Sequence, residues 1–374
     1  MGGGTPSTTK GEYWDGDIDW YAPAEIANQI YVSSSQKKIT QAGYDNSSAK
    51  MLPVGTVLFT SRAGIGKTAI LAKKGCTNQG FQSIVPHEGQ LDSYFIFSRT
   101  GELKKYGETT GAGSTFVEVS GKQMARMELL MPPTMSEQQA IGRFFASLDS
   151  TITLHQRKLD SMKLLKKSLL QKMFPKSGEP VPDVNCTKFT DVWEQRKFGS
   201  QYQKLNEKND LTFGPDKIIS VANMYFKADT TKSDDAYLRT YNVMRLGDIA
   251  FEGNKSKNFA HGRFVENTIG DGIVSHVFDV FRPISEYDLL FWKYLINNEN
   301  IMGRVMTRCT KASTMMTNLV AKDFLNESIS IPSLEEQRKI GAFLDCLDQT
   351  ITLHQRKVES LQKLKKSLLQ QMFV

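Results

Sequence analysis

The chain has 374 residues, 40% of them hydrophobic, and a formal net charge of +7 at pH 7, so it is long enough for two or more globular domains. It contains no apolar run long enough to span a membrane, and its start, MGGGTPSTTK, lacks the apolar stretch of a signal peptide. Four cysteines without a CxxC pair favour reduced thiols in the cytoplasm over disulfides or a zinc site.

Residues 1–132 form a first variable block of short, mixed elements. Val54–Thr60 predicts a turn that enters a strand, and Phe95–Phe97 predicts a further strand. The segment SRAGIGKT that follows resembles a phosphate-binding loop, but Ser61 occupies the first glycine position of GxxxxGK[ST]. A polar hairpin loop that carries Arg62 and Lys67 is therefore favoured over a nucleotide site.

A long helix is predicted within residues 133–175. Thr134 and Glu137 form a capping box at its start, and Gly142 is the only glycine or proline between about 135 and 173. Such a helix is roughly 58 Å long at 1.5 Å per residue. It needs a partner along its length, because isolated helices are marginal in water. The stretch PKSGEPVP then begins a linker, assigned to residues 176–190.

Residues 191–331 form a second variable block. Leu246–Phe251 predicts a turn that enters a strand, Val277–Phe281 predicts another strand, and Leu289–Asn298 predicts a short helix. A polar loop, GNKSKNFAHGR, follows the first of these strands at the place where SRAGIGKT stands in block one. Each block is thus predicted to be a compact α+β module with a curved sheet.

Residues 332–374 repeat the first long helix. Pro133–Phe174 and Pro332–Phe373 align without a gap and agree at 26 of 42 positions, and TITLHQRK recurs after 199 residues. Ser333 and Glu336 form the second capping box. The chain is therefore two copies of one plan, a pseudo-twofold internal repeat.

Apolar residues in both helices follow alternating steps of four and three, the spacing of a coiled-coil seam. The predicted seam comprises Ile141, Phe145, Leu148, Ile152, His155, Leu159 and Met162 and, in the second helix, Ile340, Leu344, Leu347, Ile351, His354, Val358 and Leu361. The two helices are predicted to pair within the chain as an antiparallel coiled coil. His155 and His354 are interpreted as polar residues that set the register rather than as metal ligands, since no Cys or carboxylate cluster completes a site.

Positive charge is concentrated on these helices. Residues 151–176 carry seven Lys and Arg against one Asp, and residues 350–374 carry five against one Glu, so the remainder of the chain sums to −3 (+7 − 6 − 4). Such stripes are usually solvated helix faces. The alternative is a polyanion or an acidic protein partner.

The polar loops supply candidate DNA contacts, because Asn, Arg, Lys and Ser suit base edges and phosphates. The candidates are Ser61, Arg62, Lys67, Ser114 and Thr115 in block one and Asn254, Lys255, Ser256, Lys257, Asn258, His261, Arg263, Ser313 and Thr314 in block two. Solvated turns are the alternative interpretation. No methyltransferase, hydrolase or nuclease motif is found, so we assign no catalytic residue and no metal site.

Several segments together resemble the DNA-specificity subunit of type I restriction-modification systems. They are GGGTPST, EYWDGDIDWYAPAEI, SRAGIGKTAI and PPTMSEQQAIGRFFASLDSTI in the first half, FTDVWEQRKFG at the entry to block two, and the helical segments ITLHQRKLDSMKLLKKSLLQKMF and ITLHQRKVESLQKLKKSLLQQMF. The resemblance covers nearly the whole chain.

This resemblance implies two target recognition domains that read the halves of a bipartite, asymmetric DNA sequence. It implies helices that set the gap between the halves and dock two methyltransferase subunits, which bind S-adenosylmethionine; motor-nuclease subunits join for cleavage. No cofactor is expected on this chain itself. Family members carry a WEQRKFG-like segment ahead of GGGTPST, so block one is expected either to lack the strand that begins its sheet or to receive that strand from another segment. The competing hypothesis is a coiled-coil scaffold protein without a DNA role.

Overall fold

The computed structural model describes residues 1–62, 64–111, 118–176, 179–184, 192–227, 234–256, 259–312 and 316–372, and the chain divides into two compact units. Unit 1 comprises Met1–Gln156 and Arg356–Val374, and unit 2 comprises Arg157–Gln355. Each unit therefore contains one variable block and parts of both long helices. The predicted boundaries follow the sequence repeat, whereas the units divide inside the helices.

Unit 1 begins with short strands and ends with helices. Its strands are β1 (Trp14–Tyr21), β2 (Tyr31–Val32), β3 (Lys37–Ile39), β4 (Val57–Phe59), β5 (Thr68–Leu71) and β6 (Cys76–Thr77). Its short helices are α1 (Gln41–Asp45), α2 (Ser93–Ser98), α3 (Thr100–Gly111) and α4 (Gly121–Met124), with 3-10 turns at Gly11–Tyr13 and Pro23–Glu25. The strands form two three-stranded sheets, β3-β1-β6 and β2-β5-β4. Phe59, Phe95 and Phe145 lie together in a core between the second sheet, α2 and the long helix α5 (Met135–Lys172).

Unit 2 is built from more strands. They are β7 (Glu194–Lys197), β8 (Tyr202–Leu205), β9 (Ile219–Ser220), β10 (Tyr225–Phe226), β11 (Asn242–Met244), β12 (Ile249–Glu252), β13 (Arg263–Glu266), β14 (Gly272–Val274), β15 (Val280–Pro283), β16 (Thr310–Ala312), β17 (Thr317–Leu319) and β18 (Ser328–Ile331). The helices are α6 (Phe198–Gln201), α7 (Asp235–Leu238), α8 (Leu289–Ile296), α9 (Glu299–Cys309), α10 (Ala321–Asn326) and the long α11 (Leu334–Met372), with a 3-10 turn at Pro215–Lys217.

The main sheet of unit 2 has the order β13-β12-β15-β8, with antiparallel neighbours throughout. Its aromatic core includes Phe264, Phe281, Phe291 and Trp292, and α11 contributes Leu344. The mixture of short strands and helices in both units confirms the α+β fold class.

Two turn-to-strand predictions are confirmed, and the turns correspond. Gly55 before β4 and Gly247 before β12 both have φ of +85°, a conformation that glycine adopts without a steric penalty. The predicted helix at Leu289–Asn298 is also confirmed, and it ends at Ile296.

The strand predicted at Phe95–Phe97 is wrong, because these residues lie in helix α2. The Asp92 carboxylate accepts a hydrogen bond from the Phe95 amide and starts the helix. The strand predicted at Val277–Phe281 is partly wrong. Val277 lies in a turn, and β15 begins only at Val280.

Both long helices are confirmed, at 38 and 39 residues. The hydroxyls of Thr134 and Ser333 accept hydrogen bonds from the amides of Glu137 and Glu336, which is one of the two hydrogen bonds of each predicted capping box. The Glu336 carboxylate accepts a hydrogen bond from the indole of Trp193. Its side chain therefore also fastens the start of block two to α11.

Candidate nucleic-acid interface

The first polar loop joins the antiparallel strands β4 and β5, as a hairpin loop does. Hydrogen bonds within the loop stabilise its conformation, because the Thr60 hydroxyl donates to the Gly64 carbonyl and accepts from the Lys67 amide. Since a phosphate-binding loop joins a strand to a helix, this geometry supports the hairpin interpretation over a nucleotide site.

The three candidates of this loop differ in exposure. Lys67 is exposed, and Arg62 is partly exposed with its guanidinium 4.0 Å from the Glu118 carboxylate. Ser61 is fully buried, and its backbone amide and carbonyl form hydrogen bonds with Gly80 and Val119. We therefore withdraw Ser61 from the candidate contacts.

The second polar loop joins β12 and β13, which are also antiparallel neighbours. Asn254, Lys255 and Ser256 are exposed at its start, and His261 is half-buried at its end. The Ser256 hydroxyl accepts a hydrogen bond from the Phe259 amide, which tightens the loop locally. The two polar loops thus occupy the same place in the two copies of the fold.

Arg263 is more constrained than its neighbours. Its guanidinium donates to the Glu252 carboxylate at 2.9 Å and to the Ala222 carbonyl at 2.6 Å, and it lies 5.1 Å from the centre of the Phe259 ring. Arg263 therefore holds the base of the loop in shape, and Asn254 and Lys255 are the more accessible side chains.

The remaining candidates cannot be placed. Ser114, Thr115, Lys257, Asn258, Ser313 and Thr314 lie outside the described residues.

The predicted seam residues are all buried or half-buried in α5 and α11, including His155 and His354. Part of the seam also contacts the variable blocks, because Phe145 lies in the core of unit 1 and Leu344 in that of unit 2. Within the described parts of the chain, no group of three or more His, Cys, Asp or Glu residues is arranged to hold a metal ion.

A Tyr–Asp–Lys cluster lies between helix and block in each unit. In unit 1, Asp149 accepts hydrogen bonds from the Tyr94 hydroxyl at 2.9 Å and from the Lys365 ammonium at 2.6 Å. Burial and the nearby Asp149 raise the pKa of Tyr94, so its hydroxyl stays a donor. Lys365 belongs to α11 and Asp149 to α5, so the ion pair joins segments of the two helices within unit 1.

Unit 2 contains the same cluster. Asp348 accepts hydrogen bonds from the Tyr294 hydroxyl at 2.8 Å and from the Lys166 ammonium at 2.7 Å. Asp348 and Lys365 follow Asp149 and Lys166 by 199 residues each. Because early residues of one helix face late residues of the other in both clusters, the helix segments are antiparallel in each unit.

Sequence reasoning missed these clusters. The sequence did contain a sign of the ion pairs, because Asp149 and Lys166 both recur 199 residues later, as Asp348 and Lys365. The tyrosines carried no such signal. Tyr94 is the second residue of α2, whereas Tyr294 is the sixth of α8.

One difference between the two units concerns the strand that begins block two. In unit 2, β7 pairs with β18, and Trp193 packs against Phe174 and Phe291. In unit 1 the counterpart of buried Ile329 is Leu130, which is exposed, and no strand pairs there among the described residues. This difference lies where block one was expected to lack a strand.

No helix in the described ranges is long and apolar enough to cross a membrane.

Known proteins resemble the chain in sequence and in fold. Over 176 residues, which are 46% of this chain and 40% of the relative, it is 35% identical to the type I restriction enzyme MjaIX specificity subunit of Methanocaldococcus jannaschii. Over 157 residues, 40% of this chain and 38% of the relative, it is 28% identical to the EcoR124I/EcoR124II specificity subunit of Escherichia coli. These matches span less than half the length of either relative.

The S subunit of a type I restriction-modification system from M. genitalium has the same fold. The TM-score is 0.60 at 13% identity, over 99% of this chain and 92% of that one.

The family model of the type I restriction modification DNA specificity domain matches the chain twice, at residues 2–164 and 201–363. The two matches cover one variable block each and confirm the internal repeat. Because they extend over most of the sequence, the chain belongs to the family of type I restriction-modification DNA specificity proteins.

Proposed function

We propose that this chain is the DNA-recognition subunit of a type I restriction-modification complex, and that each variable block reads one half of a bipartite, asymmetric double-stranded site. The observation that carries the proposal is the recurrence of one polar hairpin loop at the same place in both copies of the fold, with Lys67 in one and Asn254 and Lys255 in the other. Exposed Lys and Asn side chains suit phosphates and adenine edges.

The long helices set the gap between the half-sites in this proposal. Each of them contributes to both units, and the Asp149–Lys365 and Lys166–Asp348 pairs fix their register. The helices and adjoining faces dock two methyltransferase subunits, which bind S-adenosylmethionine, and motor-nuclease subunits join for cleavage. The chain itself is non-catalytic and holds no cofactor.

Adenine-methylation mapping in a host that carries the locus tests the proposal. We expect a split, non-palindromic motif that disappears when this gene is deleted. Replacement of residues 191–331 by the corresponding block of a relative changes only one half of the motif. If neither the deletion nor the block replacement changes the methylated motif, DNA recognition is contradicted and the coiled-coil scaffold becomes the explanation.

Loop variants separate the two blocks. Lys67→Ala weakens methylation through one half-site and Lys255→Ala through the other, and each loses about 1–3 kcal/mol of discrimination if it reads a base. A loss that is uniform across sequences marks a phosphate contact instead.

The spacing role has its own test. Four residues inserted into both helices lengthen each by about 6 Å, nearly two base pairs of DNA. We expect the tolerated gap to change while both half-sites stay the same. An unchanged gap means that the helices do not set it.

A further inference from the structure

Residues 129–132 of unit 1 are uncovered, although the matching segment of unit 2 is covered by a strand. In unit 2, β18 (Ser328–Ile331) pairs with β7 (Glu194–Lys197) in antiparallel register. Residues 129–132 are the counterparts of β18 in the repeat, 199 positions earlier, and no strand of the described residues pairs with them. We call residues 129–132 the open edge.

Apolar side chains that are buried in unit 2 are exposed at their counterparts in unit 1. Ile329 and Met173 lie in one core cluster with Trp193 and are 5% and 1% exposed. Their counterparts, Leu130 and Met372, are 70% and 43% exposed. Because removal of apolar surface from water is favourable, a ligand that covers Leu130 and Met372 gains affinity from both.

A glutamate differs between the units in the same way. Glu336 is buried in unit 2, where its carboxylate accepts a hydrogen bond from the indole of Trp193. Its counterpart Glu137 is exposed. Each glutamate follows the capping hydroxyl of its long helix by three residues, so the two stand at the same place on α5 and α11. Glu137 can therefore accept from the indole of a ligand as Glu336 does from Trp193.

Other positions on the same helices are buried equally in both units. Gln138 and its counterpart Gln337 are buried, and so are Phe145 and its counterpart Leu344. The long helices therefore pack on both blocks, and the exposure of Leu130 does not result from a looser unit 1.

The backbone of the open edge has hydrogen-bonding groups to offer. In the described part of the chain, the amides of residues 129–131 donate no backbone hydrogen bond. The Leu130 carbonyl accepts from the buried guanidinium of Arg99 at 2.8 Å, which fixes the segment to the end of α2. An extended peptide adds to such an edge through main-chain hydrogen bonds, and pockets for its side chains give specificity.

Unit 2 shows which chemistry covers this kind of edge. The covering segment places the Trp193 side chain in the core, whereas the side chains of β7 are exposed. Recognition thus depends on an indole and on the main chain. The sequence WEQRK occurs once in the 374 residues, and unit 2 uses it.

We infer that the open edge of unit 1 binds an extended segment of another polypeptide. That segment pairs antiparallel with residues 129–131, covers Leu130 and Met372 with a tryptophan side chain, and donates the indole N–H to Glu137. The site contains none of the polar loop residues, so it is a protein-binding surface in addition to the proposed DNA contacts.

A synthetic peptide with the sequence of residues 189–199, FTDVWEQRKFG, is the probe. Fluorescence anisotropy of the fluorescein-labelled peptide measures its binding to the full chain. We expect saturable binding, and at least about tenfold weaker binding of a peptide with Ala in place of its tryptophan. Hydrogen exchange read by mass spectrometry is expected to slow at residues 129–131 when the peptide binds.

Variants of the chain test the assigned residues. Leu130→Asp is expected to weaken binding at least about tenfold, because it puts a charge into the apolar contact. Leu154→Asp is the matched control, since Leu154 is 68% exposed on α5 of the same unit, and it keeps the wild-type affinity. Glu137→Gln retains an acceptor and binds more tightly than Glu137→Leu. Circular dichroism verifies that the variants stay folded.

Three outcomes overturn the inference. The first is that the peptide does not bind, or binds Leu130→Asp as well as the wild-type chain. The second is that hydrogen exchange changes at residues 328–331 and not at 129–131, because the peptide then replaces β7 in unit 2. The third is a full chain that is dimeric by light scattering and becomes monomeric with Leu130→Asp, which makes a second copy the occupant. Methylation mapping tests the proposed function independently of all three.

Discussion

At the scale of single residues, Asp149 and Asp348 each join three elements by one carboxylate. Each accepts from a tyrosine of its block and from a lysine of the opposite helix. Because both donors lose their partner when the carboxylate is removed, these two positions matter more to stability than an ordinary surface acid.

Asp149→Ala and Asp348→Ala are each expected to lower the free energy of unfolding by about 1–3 kcal/mol, the penalty of leaving donors unsatisfied. Urea unfolding of the full chain measures the change. The exposed acids Glu88 and Glu286 serve as controls, and their replacement by Ala stays within about 0.5 kcal/mol. An aspartate variant as stable as these controls contradicts the assigned role.

Glu266 predicts a dependence of stability on pH. Burial raises the pKa of its carboxyl to about 9, and neither carboxyl oxygen has a hydrogen-bond partner among the described residues. The folded state thus holds a proton that the unfolded state releases near the ordinary value of 4.5. The free energy of unfolding therefore falls as pH rises from about 4.5 to about 9 and is highest at the acid end of that window.

Urea unfolding of the wild-type chain and of Glu266→Gln between pH 6 and pH 9.5 checks this expectation. Gln stays neutral at every pH, so we expect the free energy of unfolding of the variant to fall less steeply as the pH rises. Glu266→Ile is a second comparison, because Ile70 occupies the matching place in the β4–β5 pair. Equal slopes in all three proteins mean that Glu266 does not hold the proton.

The local sequence predicted where the two polar loops lie, but not which of their residues are buried or hydrogen-bonded to the rest of the fold. The order of strand, polar loop and strand at 54–71 and 246–266 was predictable, because turn residues precede apolar runs in both. That Ser61 is buried and Arg263 is tied to Glu252 and Ala222 was not, since both facts depend on segments distant in the chain.

At the scale of elements, the long helices approach their blocks at a glycine. A Cβ on Gly142 would lie 2.5 Å from Asp92 Oδ1, and a Cβ on Gly341 would lie 2.5 Å from Asp288 Oδ1. Both aspartates cap the short helix that packs on the long one. The glycines therefore let the capped end of α2 or α8 reach the long helix.

For Gly142→Ala and Gly341→Ala, the sign of the change in the free energy of unfolding tests the close approach. Helix propensity alone predicts a gain of about 1 kcal/mol from Gly to Ala. We expect a loss of about 1–3 kcal/mol instead, because the methyl group displaces the cap. Thermal unfolding measures the effect, with Ser150→Ala at an exposed position of the same helix as control. Stabilisation by either substitution refutes the close approach.

The helices were predictable and the short strands were less so. A repeat of 42 positions with seam spacing and capping boxes fixes the type and the ends of α5 and α11. Phe95–Phe97 has a strand-like composition, and one capping contact from Asp92 makes it helical. The linkage of the helices through Asp149 and Lys365 joins residues 216 apart, so it follows from the fold and not from local pattern.

At the scale of the whole molecule, each unit is completed by the helix of the other repeat. Leu368 and Leu369 pack against the core of unit 1, and their counterparts Leu169 and Leu170 pack against that of unit 2. Because the side chains are the same, one segment can chemically replace the other.

A fragment of residues 1–176 is therefore expected to form a dimer in which each copy lends residues 157–172 to its partner. Lys166 then takes the place of Lys365 beside Asp149. Light scattering coupled to size-exclusion chromatography measures the mass. Lys166→Glu in this fragment weakens the dimer by repelling Asp149, whereas Lys163→Glu, at an exposed position nearby, has a smaller effect. A stable, fully folded monomer contradicts the exchange.

The contribution of α11 to unit 1 also determines the order in which the parts of the fold can be completed during translation. The carboxylate of Asp149 is synthesised more than two hundred residues before Lys365, which completes its ion pair. Unit 2 receives its last residues, up to Gln355, before the segment from Arg356 onward emerges to close unit 1. The block that is translated first is thus the last to be completed, because Leu368 and Leu369, which pack against its core, are translated after the whole of the second block.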